Sequence, residues 1–307
     1  MVTADNTVPD IARVREVPRT VKDTASYTVF RVVNACVLVI ICAVTLYPFI
    51  NLAAKAFSSQ GYIMAGQVNL WPRGFNLTTL EWLAQQERFW TGYGNTIIQT
   101  VGGTTIAMVL TTTMAYALAK KHLKGRGIVI AMVVVTMFFN GGLIPNYLLI
   151  TNLGFKNTIW AIIVPNAISA FNLLVMKAFF ENFPSELEEA AAIDGMTTYG
   201  IFFRIVLPLS KAVIATMILF YAVFFWNSWF PAMLYLSDAE LQPVTLYLRN
   251  LLAGASGAGR EAGMEEVQIG SNLKAVTMLL TVIPIIAVYP FVQKYFVTGV
   301  MLGSVKG

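Results

Sequence analysis

Charged side chains are missing from six long stretches of the chain, residues 32–54, 95–119, 128–155, 158–176, 212–237 and 275–293. A bilayer core of ~30 Å takes about 20 helical residues to cross at ~1.5 Å per residue, and each stretch has the reach to do so, the shortest ones only just. The pattern predicts an all-α polytopic membrane chain: a hydrophilic N-terminal tail at residues 1–30, then a body of six spanning helices at 31–307. In the third stretch, Gly141-Gly142 and Pro145 should break or kink the helix, because proline removes a backbone donor and glycine weakens the ladder. Such a break is tolerated in a membrane only where protein or water satisfies the freed groups, so this segment should face the bundle or a cavity.

Composition agrees with this reading. The 307 residues are 57% hydrophobic and 12% charged, against about 25% charged in a soluble domain. Basic residues orient the spans. With the N-terminus inside, fourteen of the 21 Lys and Arg fall on the cytoplasmic side, most densely in the short loop from Lys120 to Arg126, and both termini are expected to be cytoplasmic. The net charge of +5 then reflects topology and lipid contact; the basic residues form no patch interleaved with aromatics, which argues against nucleic-acid binding. The first apolar run is too long for a signal core and follows a hydrophilic tail, so it reads as a retained anchor despite Ala54-Lys55-Ala56 behind it. Cys36 and Cys42, six apart on one helix, read as packing residues, and His122 as a membrane-surface side chain. Outside, the segment 57–94 carries Trp71, Trp82, Phe89 and Trp90, while 238–272 is long, with a Gly/Ala/Ser run at 253–259.

The cytoplasmic segment 184–211 holds the most specific pattern. Ser185 can cap a helix whose Glu188 completes a capping box; Glu189-Ala190-Ala191-Ala192-Ile193 continues it, and Asp194-Gly195 should end it with a left-handed glycine. Thr197 or Thr198 can cap a second helix running through Phe202, Phe203 and Ile205 to Leu207-Pro208.

These residues resemble the EAA loop of binding-protein-dependent ABC importer permeases. Gly141-Gly142-Leu143-Ile144-Pro145, Trp226-Asn227 and a C-terminal pattern of Gly299, Gly303, Lys306 and Gly307 resemble the carbohydrate branch, the relatives of the second maltose permease subunit. The look is nearest to permeases for complex oligosaccharides and polyuronates, and it covers roughly residues 25–307. The resemblance implies a type I importer permease in a bacterial cytoplasmic membrane. Its expected partners are a second permease subunit in a heterodimer, two cytosolic ATPases carrying ATP and Mg²⁺, and an extracytoplasmic solute-binding protein. It places Glu188, Glu189, Ala190, Ala191, Asp194 and Gly195 at the ATPase contact, with Met196 where relatives commonly carry Ala, and it makes 238–272 a candidate scoop reaching into the binding protein. No cofactor is expected in this chain. A P-loop needs a Gly-Lys pair, and the sequence contains none, so ATP must be hydrolysed elsewhere.

Sugars call for amides and flat aromatic faces in a cavity. Within the apolar stretches the candidates are Asn140, Asn146, Tyr147, Asn166, Asn172, Tyr221, Trp226, Asn227 and Trp229, although interhelical hydrogen bonding accounts for a lone Asn as well. An ion-coupled secondary transporter would want a charge mid-span, and the six stretches hold none. A membrane enzyme would want clustered His, Cys or carboxylates, which the spans also lack; an importer of a non-sugar solute stays open as the alternative.

Overall fold

The computed structural model describes residues 25–253 and 272–303; for Tyr289 and 291–303 only the backbone course is described. Among these residues every regular element is helical, apart from one isolated bridge between Ser58 and Phe75. The chain divides into two units at Ile50/Asn51. The first comprises most of α1 (Ala25–Ala56), which begins seven residues ahead of its charge-free run, and its side chains from Ala25 to Ile50 are exposed.

In the second unit, two short helices, α2 (Gln60–Met64) and α3 (Thr78–Gln85), precede the longest element, α4 (Glu87–Ala119). Its 33 residues reach about 50 Å. One face of α4 carries Gly103, Ala107, Thr111 and Ala115 at intervals of four, all buried. Small residues at that spacing let helices approach closely in a membrane, where apolar surface alone gives no drive to associate. A Cβ on Gly103 would lie 2.8 Å from the Phe225 ring, so the absence of a side chain there is what lets the ring in.

The most extensive packing along α4 comes from α8 (Ala170–Glu181), α12 (Lys211–Trp226) and, near its start, α14 (Val244–Ala253). The apolar stretch 128–155 is split, as Gly141-Gly142 implied, into α5 (Arg126–Phe138) and α6 (Leu143–Asn152). Gly142 adopts φ +87, and Pro145 sits in the first turn of α6, where its missing N–H costs no helical bond. The next stretch is α7 (Trp160–Ile163), a 3₁₀ turn at Val164–Asn166 and α8, bent by 45°. After α9 (Ser185–Ile193) come α10 (Thr198–Ile201), a π-helical turn at Phe202–Val206 and α11 (Leu207–Leu209), bent by 81° from α12. α13 (Trp229–Tyr235) and α15 (Leu273–Gly303) complete the set. By length and composition α1 and α4 can each cross a membrane, and each of the two bent pairs can as one span.

Candidate functional site

The loop at residues 184–211 is built around a helix stop. Gly195 has φ +81; its N–H donates to Ala192 and the N–H of Met196 to Ala191, both at 3.0 Å. This double bond pattern is the Schellman motif, in which a left-handed residue satisfies the orphan carbonyls of the last turn. Thr197 caps α10, its Oγ accepting from the Gly200 amide at 3.2 Å, as one of the two expected threonines should. The capping box is not formed. Pro184, not Ser185, holds the N-cap position, without a side-chain cap bond, and Glu188 instead takes a hydrogen bond from Lys120 at the end of α4. A full ammonium attracts a carboxylate more strongly than a backbone amide does.

The helical period sorts the loop into two faces. Ala191 is buried and Glu188 half-buried, three apart; Glu189, Ala190, Asp194, Gly195 and Met196 are exposed. Beside them stand Ile193 at 86% exposure, Tyr199 at 79% and Phe203 at 60%, an apolar surface bordering a depression floored by Gly195 and Gly200. Tyr199 was not expected; a tyrosine after a cap looks like any interfacial aromatic in sequence. Beneath the loop, past Met176 where the apolar stretch ends, Glu181 pairs with Arg126 and with Lys177 at 2.8 Å. The hydrogen bond from Lys177, more than any other influence, holds the Glu181 carboxyl below its ordinary range. Arg126 also donates to the Leu118 carbonyl at 2.7 Å, one of the last four of α4, which have no helical donor.

The polar candidates in the bundle separate into groups. Asn140 accepts from the Gly142 amide at 2.9 Å and from the Asn146 side chain at 3.2 Å, and all three line a cavity of about 660 Å³ with Asn166, Phe230 and Tyr235. Tyr147 stacks on Tyr235 at 6.0 Å under the Lys156 ammonium. Asn172 and Tyr221 line a second cavity of about 720 Å³, and both cavities share Pro165 and Asn166 as wall. The Tyr221 hydroxyl bridges Thr111 at 2.6 Å and the amide of Ser169 at 2.9 Å, tying α4 and α12 to the bend before α8. Trp226 donates to the Thr281 carbonyl at 3.0 Å, and Asn227 turns back onto Val223. Trp229 carries the Arg249 guanidinium on its face at 4.0 Å. Gly299 and Gly303 fall in α15; Lys306, Gly307 and the Gly/Ala/Ser run of the candidate scoop, apart from its first residue, lie outside the described residues.

The connection before α14 is pinned from two sides. Asn157, at φ +60, accepts with its side chain from the amides of Ser237 at 3.0 Å and Asp238 at 2.9 Å. Asn95 of α4 donates to the carbonyls of Glu240 and Gln242.

The family described as binding-protein-dependent transport system inner membrane component matches residues 127–301, which takes in the two-faced loop and both cavities. The chain belongs to this family. As an inner membrane component it is a multi-pass membrane protein and a transport subunit rather than an ATPase. It is 40% identical over 290 residues to Protein LplC of Bacillus subtilis, covering 94% of this chain and 98% of that one. It is also 40% identical over 275 residues, 88% of this chain and 96% of the other, to the polygalacturonan/rhamnogalacturonan transport system permease protein YtcP of the same organism. Among solved structures, a bacterial ABC transporter involved in the import of the acidic polysaccharide alginate has a chain that superimposes with a TM-score of 0.78 at 32% identity, over 89% of this chain and 98% of that chain. The type I importer permease fold expected from the EAA resemblance is the fold of this chain.

Proposed function

We propose that this inner membrane component conducts an oligosaccharide from an extracytoplasmic binding protein into the cytoplasm, by alternating access, as one half of a permease pair. The observation that carries the reading is the two-faced loop at the end of α4. Its outward side offers Glu189, Ala190 and Ile193 around the Gly195 turn, a small and partly apolar surface that fits the groove of a soluble ATPase. ATP and Mg²⁺ belong to that ATPase, two copies of which would serve the pair. The six apolar stretches cross the membrane with both termini inside, α5–α6, α7–α8 and α12–α13 each as one broken crossing.

Substrate class follows from the cavities. Asn140, Asn146, Asn166 and Asn172 supply donors and acceptors, and Phe230 and Tyr235 supply aromatic faces, without a carboxylate or cation mid-span. Neutral amides suit hydroxyl-rich ligands, and the relatives named for polygalacturonan and alginate transport support a polysaccharide-derived one. Tyr221 and Trp226 serve this path by holding its walls together, their polar atoms being taken by Thr111, Ser169 and Thr281.

The test is uptake in proteoliposomes containing both permease halves, the ATPase and the binding protein. ATP-dependent entry of labelled oligogalacturonides, competed by unlabelled oligosaccharide and absent without the binding protein, is the expected result. Uptake of amino acids or peptides with no oligosaccharide entry would refute the sugar assignment.

A further inference from the structure

Besides the buried Ala191 and Ile201, which join the bundle's core, the coupling loop meets its own bundle through two side-chain pairings at the C-terminal end of α4. Glu188 of α9 pairs with Lys120, and Phe202, in the π-helical turn that follows α10, packs on the Tyr116 ring at 4.7 Å. Tyr116 and Lys120 are four residues apart and therefore neighbours on the helix surface; the Lys120 ammonium rests over the Tyr116 ring at 4.4 Å. Phe180 of α8 closes the cluster against Tyr116 at 5.8 Å. The loop thus leaves the bundle through Glu188 and returns through Phe202, and the Schellman turn between them keeps α9 and α10 in fixed relation. Both side chains of the ion pair are about three-quarters covered, which sets the pair apart from a solvated surface contact.

Resting on the coupling reading above, we infer that Lys120 is the positioning residue through which displacement of the loop reaches α4. The adjacent carboxylates divide the labour. Glu189, on the exposed face, is free for the ATPase, whereas Glu188, on the inner face, holds the loop to Lys120. Phe202 gives a non-directional apolar grip, which sliding weakens only gradually; the ion pair resists sliding because its hydrogen bond is directional. Since α4 carries the packing of α8, α12 and α14, a pull on its last turn is felt by the whole bundle.

The experiment uses the assembled transporter and measures ATPase co-purification, ATP hydrolysis and uptake together. Lys120→Glu should leave the ATPase subunits bound and hydrolysing while uptake falls at least about fivefold, the low end of an inter-site coupling. Lys120→Gln, which keeps the shape, should fall in the same direction by less. The reversed pair, Lys120→Glu with Glu188→Lys, should recover most of the uptake. Wild-type transport by Lys120→Glu, a reversed pair no better than the single variant, or release of the ATPase by Lys120→Glu would each overturn the inference. Ala190→Arg on the outward face separates the two readings, since normal ATPase retention and uptake there would remove the docking surface while leaving the charge-reversal result to stand or fall alone.

Discussion

The hydroxyl of Tyr93 donates at 2.8 Å to the carbonyl of Leu280, the acceptor that Pro284, four residues on, leaves without a helical amide. The next carbonyl, Thr281, takes the Trp226 indole N–H, and the two rings lie 6.1 Å apart. A proline break inside α15 is therefore satisfied by side chains of α4 and α12, as a membrane interior requires. Tyr93→Phe should cost about 1 kcal/mol, typical of a hydrogen bond between membrane helices. In a Pro284→Ala background, where residue 284 can donate again, the same substitution should cost much less. Thermal unfolding of the four proteins in detergent measures this; an equal cost in both backgrounds would sever the link between the tyrosine and the proline.

Gly195→Val should abolish uptake while the protein still inserts. A β-branched residue at φ +81 pays roughly 1–2 kcal/mol for the left-handed conformation, enough to favour another path for the chain after Ile193. Normal transport by this variant, measured against membrane abundance, would remove the Schellman turn from the coupling account.

Gly103→Ala should destabilise the bundle, because its new methyl would meet the buried Phe225 ring at 2.8 Å. Overpacking of this kind costs about 1–3 kcal/mol. Phe225→Leu should recover part of the loss, and a double variant no more stable than Gly103→Ala in thermal unfolding would show that the strain lies elsewhere.

Asn157→Asp keeps an acceptor for the Ser237 and Asp238 amides, whereas Asn157→Ala leaves both unpaired and favours φ > 0 less. Hydrogen exchange at these two amides should be near wild type in the first variant and faster by roughly tenfold in the second, the equivalent of about 1.4 kcal/mol. Unchanged exchange in Asn157→Ala would mean that other contacts hold the loop.

What could be read in advance was local. The stop at Gly195, the cap at Thr197 and the break at Gly141-Gly142 each follow from the residues within a few positions, and each is present. The capping box failed because its competitor, Lys120, lies 68 residues away in sequence and no local rule weighs it. Still longer separations, of 110, 187 and 80 residues, hid Thr111 from Tyr221, Leu280 from Tyr93 and Ser237 from Asn157. The apolar stretches were legible, but the 45° bend inside one of them, before α8, and the 81° bend at Ser210, just ahead of another, leave few residues' worth of sequence signal.

That second bend makes the segment ahead of α12 a crank. Residues 198–209 stand nearly at right angles to α12, an arm of roughly 18 Å at ~1.5 Å per residue. A force along the axis of α12, applied at the far end of such an arm, acts as a torque about the Ser210 elbow, where a buried hydroxyl bonded to the Val206 carbonyl at 2.7 Å braces the joint. An axial shove of a few ångströms would then emerge as a swing of about ten degrees or more, so a small closing stroke outside the membrane can tilt a helix within it.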